Sequence, residues 1–164
     1  MDELSVGDPW NTSVDVGPVI DDAAKAKIRA HVDSWQRGGH LLKQLVPNRS
    51  GHFVAPALIR VNGIADLEEE VFGPVLHVAP FQADQIDAVL RDINKSGYGL
   101  TFGLHTRIDG RVEEVTSTLG VGNIYVNRNQ IGAVVGSQPF GGEGLSGTGP
   151  KACLLYTSPS PRDA

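Results

Sequence analysis

Cysteine is almost absent from this 164-residue chain, and the single one, Cys153, cannot close an internal disulfide. That fits a reducing compartment. Basic charge is thin as well: 14 Lys and Arg stand singly against 19 Asp and Glu, for a net charge of −5. Without a stripe of cations to neutralise phosphates, nucleic acid is not an expected partner of this segment. No apolar run approaches the roughly 20 residues that a spanning helix needs, so no transmembrane segment is expected. The opening "MDELSVGDPW" has neither the basic nor the apolar stretch of a signal peptide. Five histidines, His31, His40, His52, His77 and His105, share no metal-ligand spacing, and no metal is expected. Ser137 and Ser146 lack the G-x-S-x-G setting of a hydrolase nucleophile. Taken alone, the residues assemble no complete catalytic set.

What is present is a globular composition, 40% hydrophobic and 20% charged, in a chain of ordinary single-domain length. In "DDAAKAKIRAHVDSWQRGG" the residues Ala24, Ile28, Val32 and Trp35 recur at helical spacing, with Asp21 and Asp22 at the start and Gly38-Gly39 at the end. This predicts an amphipathic helix with acids at its N-terminus and a glycine cap. "HLLKQLV" and "HFVAPALIRVN" are β-rich and predict strands joined by a turn at "PNRSG". "PVLHVAPFQ" predicts a strand, "DQIDAVLRDINKSG" a helix with Ile86, Val89, Leu90 and Ile93 on one side, and "GLTFGLHT" a strand. "DGRVEEVTSTLG" predicts a further helix through Val112, Val115 and Leu119, and "GNIYVN" a closing strand. Strands alternating with helices point to α/β layers whose sheet is at least partly parallel.

Glycine is concentrated where that pattern ends: "GAVVGSQPFGGEGLSGTGP", residues 132–150, holds seven glycines and two prolines in nineteen positions. Such density is tolerated where the backbone must turn tightly or approach something closely. "GEGLSG" at 142–147 matches G-x-G-x-x-G in form, but no helical pattern follows it, and Pro150 occupies the lysine position of the near-Walker string "GLSGTGPK". Phosphate binding is therefore not expected. "IGAVVG" could aim successive amides at a small anion, with Gly132 and Ala133 as donors, although a tight connection with no ligand is the commoner use of such residues. In "LEEEVFGPVLHV" the three acids read as a solvated face, or as a bidentate acceptor for vicinal hydroxyls beside Phe72 as an apolar wall.

The last twelve residues, "CLLYTSPSPRDA", change to a Ser/Pro-rich composition that continues no pattern and read as a translated sequencing-library adapter. Residues 153–164 are therefore set apart from residues 1–152.

"EEEVFGPVLHV" and "NIYVNRNQIGAVVGSQPFGGEGLSGTGPKA", which carry E-x-F-G-P and P-F-G-G-x-x-x-S-G-x-G, together resemble the aldehyde dehydrogenase superfamily. The fuller string, with the opening "ELSVGDPWNTSVDVGPVIDDAAKAKI", is similar to the L-glutamate γ-semialdehyde dehydrogenase module of proline utilisation A proteins. The resemblance implies the C-terminal part of an aldehyde dehydrogenase fold, an incomplete set of the catalytic domain's α/β layers over residues 1–152. It implies oxidation of L-glutamate γ-semialdehyde to L-glutamate, in which a cysteine attacks the aldehyde, hydride passes to NAD and activated water releases the acid.

Carried over by motif, Glu70 would hold the nicotinamide ribose hydroxyls and Phe72 would pack beside the nicotinamide. Gly132 and Ala133 would offer amides to the substrate α-carboxylate, and Phe140 would line the aliphatic part of the pocket. The family's nucleophile, general base and dinucleotide-binding elements would precede residue 1. No catalytic residue is therefore assigned, Cys153 included, and the chain is expected to be inactive alone. The same resemblance implies a small-molecule substrate, a homo-oligomeric parent, FAD only if a proline dehydrogenase domain lies upstream, and a cytoplasmic parent that is at most peripheral to the inner membrane. The alternatives are another aldehyde dehydrogenase, or a non-catalytic domain of the same fold serving as an assembly or lid element.

Overall fold

The computed structural model describes residues 1–46, 50–130 and 140–147. The chain forms two compact units, Met1–Phe81 and Gln82–Ala164.

The first unit is organised by α1, Asp22–Arg37. Asp21 caps it, its carboxylate accepting from the Ala24 amide at 2.7 Å, and Gly39 at φ 77° turns the chain out of it. Three short strands follow: β1 Leu41–Gln44, β2 Ala57–Arg60 and β3 Val75–Val78. β1 runs antiparallel to β2 with a bulge at Leu41/Lys43, and β2 runs parallel to β3 with Ala57 opposite Val75 and Ile59 opposite His77. Ile28 and Val32 of α1 pack with Val54, Ala57, Ile59 and Val61 to form the core. The spacing of four that predicts the helix thus also selects the face that is buried.

Strand pairing is shorter than the β-rich runs suggest. Val54 and Ala55 are buried without belonging to a strand, and Pro56 contributes no N–H, only a carbonyl that accepts from Leu45. On the sheet face opposite α1, Leu58 and Leu76 lie side by side, and Leu42 and Leu76 are each more than half exposed.

In the second unit, a 3₁₀ turn at Ala83–Gln85 leads into α2, Ile86–Lys95. Next come β4 Tyr98–Gly99, β5 Thr101–Leu104, α3 Asp109–Thr118, β6 Asn123–Val126 and β7 Glu143–Gly144. β5 and β6 are parallel, in register from Thr101 opposite Asn123 to Leu104 opposite Val126. Two parallel strands need a crossover, and α3 supplies it. Leu90, Leu104, Val115 and Leu119 form this unit's core, flanked by Ile86, Ile93, Phe102 and Ile124. These are the apolar faces that the helical and strand periodicities predict.

The later half of the glycine run is welded to this unit. β7 pairs antiparallel with β4, and the buried Asn123 amide donates to Leu100 O at 3.1 Å and to Gly141 O at 2.9 Å. A Cβ at Gly122 would lie 1.8 Å from Gly141 O, and one at Gly147 would lie 2.1 Å from Gly142 O. These are backbone contacts that no rotamer change relieves.

Gly122→Ala is therefore expected to cost about 3 kcal/mol or more, at the severe end of overpacking. Gly110→Ala, on α3 with nothing within 4 Å of the added methyl, is expected to stabilise by about 0.5–1 kcal/mol. Urea denaturation of the two variants beside the unmodified chain checks both signs.

Candidate functional site

The acidic loop belongs to the first unit, between a 3₁₀ turn at Ile64–Asp66 and the start of β3. Leu67 and Val71 turn inward and pack on the core. Glu68, Glu69, Glu70 and Phe72 consequently face outward, with Phe72 79% exposed. The three acids are not equivalent. Glu69 is tied to Lys27 of α1 at 2.9 Å, an exposed pair of small energetic weight. Glu70 has no hydrogen bond or ion pair among the described residues. Its free carboxylate beside a bare phenyl ring could accept two hydroxyl donors at once and cover the loss of solvent with apolar area.

Gly73 and Pro74 set the exit from this loop. The Gly73 amide donates to Val71 O at 3.0 Å, the Val75 amide to Gly73 O at 2.8 Å, and the Ala57 amide to Pro74 O at 2.9 Å. A Cβ at Gly73 would stand 2.4 Å from Cδ1 of the buried Ile28. Residue 73 is thus glycine because α1 occupies its side-chain space.

Of the substrate-side residues, Phe140 is half-buried in the second unit, while Gly132 and Ala133 lie outside the described residues, as does Cys153. The strand ends that precede 131–139 are well held. Asn127, at φ 55°, accepts from the Thr106 amide and donates to the Thr106 carbonyl, both at 2.9 Å, joining the C-terminal ends of β5 and β6. Ligand sites of open α/β sheets lie at such ends. The "GEGLSG" string has a different use: the amides of Leu145, Ser146 and Gly147 donate to Gly97 O, Glu143 O and Gly144 O. Those donors are consumed within the chain and cannot cradle a phosphate.

A feature that linear spacing did not single out is a histidine pair. His31 on α1 and His77 on β3 bring their Nε2 atoms to 2.9 Å with ring planes at 85°. His31 lies three residues beyond Ile28 on the buried side of α1, and His77 shares the inward parity of Val75. Helix and strand periodicity together could have placed them on facing surfaces. Burial holds the His31 imidazole below its ordinary value of 6.5, partly offset by Glu69. Burial, and then the charge of His31, do the same to His77. No group of three His, Cys, Asp or Glu side chains among the described residues is placed to hold a metal, and no described helix is long and apolar enough to cross a membrane.

A mixed α/β framework with two parallel strand pairs and an outward Glu-x-Phe loop defines the class of protein. The chain belongs to the aldehyde dehydrogenase family, whose model matches residues 1–157. It is 51% identical over 160 residues to the bifunctional protein PutA of Escherichia coli K12, covering 93% of this chain and 12% of that protein. It is similar to a crystal structure of a Bradyrhizobium japonicum Proline Utilization A mutant, with a TM-score of 0.86 and 51% identity over 92% of this chain and 15% of that one. It is also similar to a 1-pyrroline-5-carboxylate dehydrogenase from Thermus with bound NAD, with a TM-score of 0.78 and 35% identity over 90% of this chain and 28% of that one. The chain thus spans about an eighth of the PutA length and less than a third of the Thermus enzyme.

Gly73→Ala is expected to cost about 1–3 kcal/mol by overpacking against Ile28, and to shift the amide resonances of Glu70 and Phe72. Ile28→Val removes the clashing Cδ1, so the double variant should be more stable than the sum of the two single losses. A double-mutant cycle in urea measures that coupling.

Proposed function

We propose that this chain is part of an NAD-dependent dehydrogenase that oxidises L-glutamate γ-semialdehyde to L-glutamate. The observation that carries the reading is the similarity, over nine-tenths of the chain, both to PutA and to 1-pyrroline-5-carboxylate dehydrogenases. The residues present fit the cofactor: Glu70 offers an uncommitted carboxylate and Phe72 an exposed ring on a loop pinned by Leu67 and Val71. Glu70 would accept hydrogen bonds from the two ribose hydroxyls, and Phe72 would shield the nicotinamide from water. Bound NAD supplies the hydride acceptor. On the substrate side, the amides of Gly132 and Ala133 would hold the α-carboxylate, and Phe140 would contact the aliphatic chain between carboxylate and aldehyde. These groups bind and orient but supply no nucleophile, so the 164-residue chain by itself should not turn over aldehyde. Residues 153–164 are read as foreign to the catalytic module on their composition, although the family match continues to residue 157.

The test uses the complete enzyme, recovered from the flanking genomic sequence, with NAD reduction followed on glutamate semialdehyde and on propanal. A carboxylate-anchoring site is expected to favour the semialdehyde by about 10²-fold or more in kcat/KM. Gly132→Pro, which deletes one amide donor, should lower the semialdehyde value by about tenfold or more and leave propanal nearly unchanged. Equal rates on the two aldehydes would make it a general aldehyde dehydrogenase. No turnover with an intact upstream cysteine would make it a non-catalytic relative.

A further inference from the structure

α1 supports the Glu70–Phe72 loop at three successive points: Lys27 holds Glu69, Ile28 fills the space beside Gly73, and His31 meets His77 on the strand that the loop enters. The first is solvent-exposed and the second is apolar. The third depends on which ring nitrogens carry protons.

A neutral imidazole has one N–H and one lone pair. For Nε2 to meet Nε2 at 2.9 Å, one ring must carry its proton on Nε2 and the other must present a bare Nε2. One additional proton preserves the bond, because a doubly protonated ring still donates to a bare Nε2. A second additional proton abolishes it, since both Nε2 atoms then carry hydrogen and two like charges face each other. We propose that His31 and His77 are a positioning pair, a proton-counting latch that holds β3 and the Glu70–Phe72 loop against α1 and opens when both rings are charged. The consequence for cofactor binding rests on the function proposed above; the latch itself does not.

The surroundings favour the closed form. Trp35 stacks edgewise on both rings, at 6.2 and 6.5 Å, and His40 at the head of β1 stacks on Trp35 at 5.3 Å. β2 presents only Ala57 and Ile59 on the inward side, so no titratable side chain faces the pair from that strand. Asp66, Glu68 and Glu69 line a cavity of about 270 Å³ with His31, Ser34 and Trp35. Of these acids, Glu69 raises the proton affinity of His31 but is itself engaged by Lys27. Both imidazoles sit below 6.5, so the unfolded chain binds more protons as pH falls through that value. The pair's contribution to stability is full above pH 6.5 and is lost as pH falls toward the lower folded values.

The test is made on the 164-residue chain by ring ¹⁵N and backbone amide NMR between pH 8 and pH 4. At pH 8 one of the two rings should be the Nε2–H tautomer and the other the Nδ1–H tautomer. On acidification the pair should titrate in two steps more than tenfold apart in proton affinity, about one pKa unit. The amides of Glu70–Gly73 should move with the lower step. In His77→Gln, whose side chain can keep a hydrogen bond without titrating, His31 should titrate in one step and the loop amides should show no transition that follows a ring. The latch is overturned if the two rings share one tautomer at pH 8, if both titrate independently near 6.5, or if the loop amides follow His31 equally in His77→Gln. The tautomer readout needs no variant. These outcomes are independent of whether the complete enzyme prefers the semialdehyde.

Discussion

Ile28 occupies the space that a side chain at residue 73 would need, and the first unit is arranged around that contact. The same isoleucine is part of the core with Val32 and Ile59. α1 therefore does two things with one face: it covers the sheet, and it dictates where the chain between Leu67 and Pro74 can run. Leu67 and Val71 are drawn inward by the same apolar burial, and the residues between them are turned outward as a geometric consequence. Glu70 and Phe72 are exposed because their neighbours are buried, which is how a fold presents a polar acceptor and an apolar ring on a short, supported loop.

Glycine serves two purposes in this chain, and at Gly144 they coincide, since an added Cβ there would also lie 2.3 Å from Gly97 O. At Gly39, Gly97 and Gly144 the backbone adopts positive φ, which glycine tolerates without strain. At Gly73, Gly122 and Gly147 the angle is ordinary and the constraint is space: an isoleucine methyl in the first case, and carbonyl oxygens in the other two. The latter pair seats the 140–147 segment against β6, where the Asn123 side chain donates to the carbonyls of both Leu100 and Gly141. That seating consumes the amides of the apparent G-x-G-x-x-G string. A motif can therefore be present in letters and absent in chemistry.

Much of the framework was legible beforehand. The three helices lie where the spacing of Ile28, Val32, Leu90, Val115 and Leu119 places them, because burying one stripe of a helix requires that period. The strands were located but overextended, most clearly at "HFVAPALIRVN", where Pro56 can offer no donor and pairing is confined to Ala57–Arg60. The outward direction of Glu70 and Phe72 was not legible from the charge run, since a solvated face and a binding edge have the same letters. What separates them is the inward pull of Leu67 and Val71, a tertiary effect.

The sequence by itself determined the family, through E-x-F-G-P and the glycine-rich string, and the α/β class, through two periodicities that local backbone geometry enforces. Only the tertiary structure decided that Glu69 is tied to Lys27 while Glu70 is left uncommitted, and that Ile28 fills the side-chain space at residue 73. It alone showed that His31 and His77, 46 residues apart, share a hydrogen bond. Those outcomes depend on which helix face meets which strand face, and that is set by packing between segments distant in the chain.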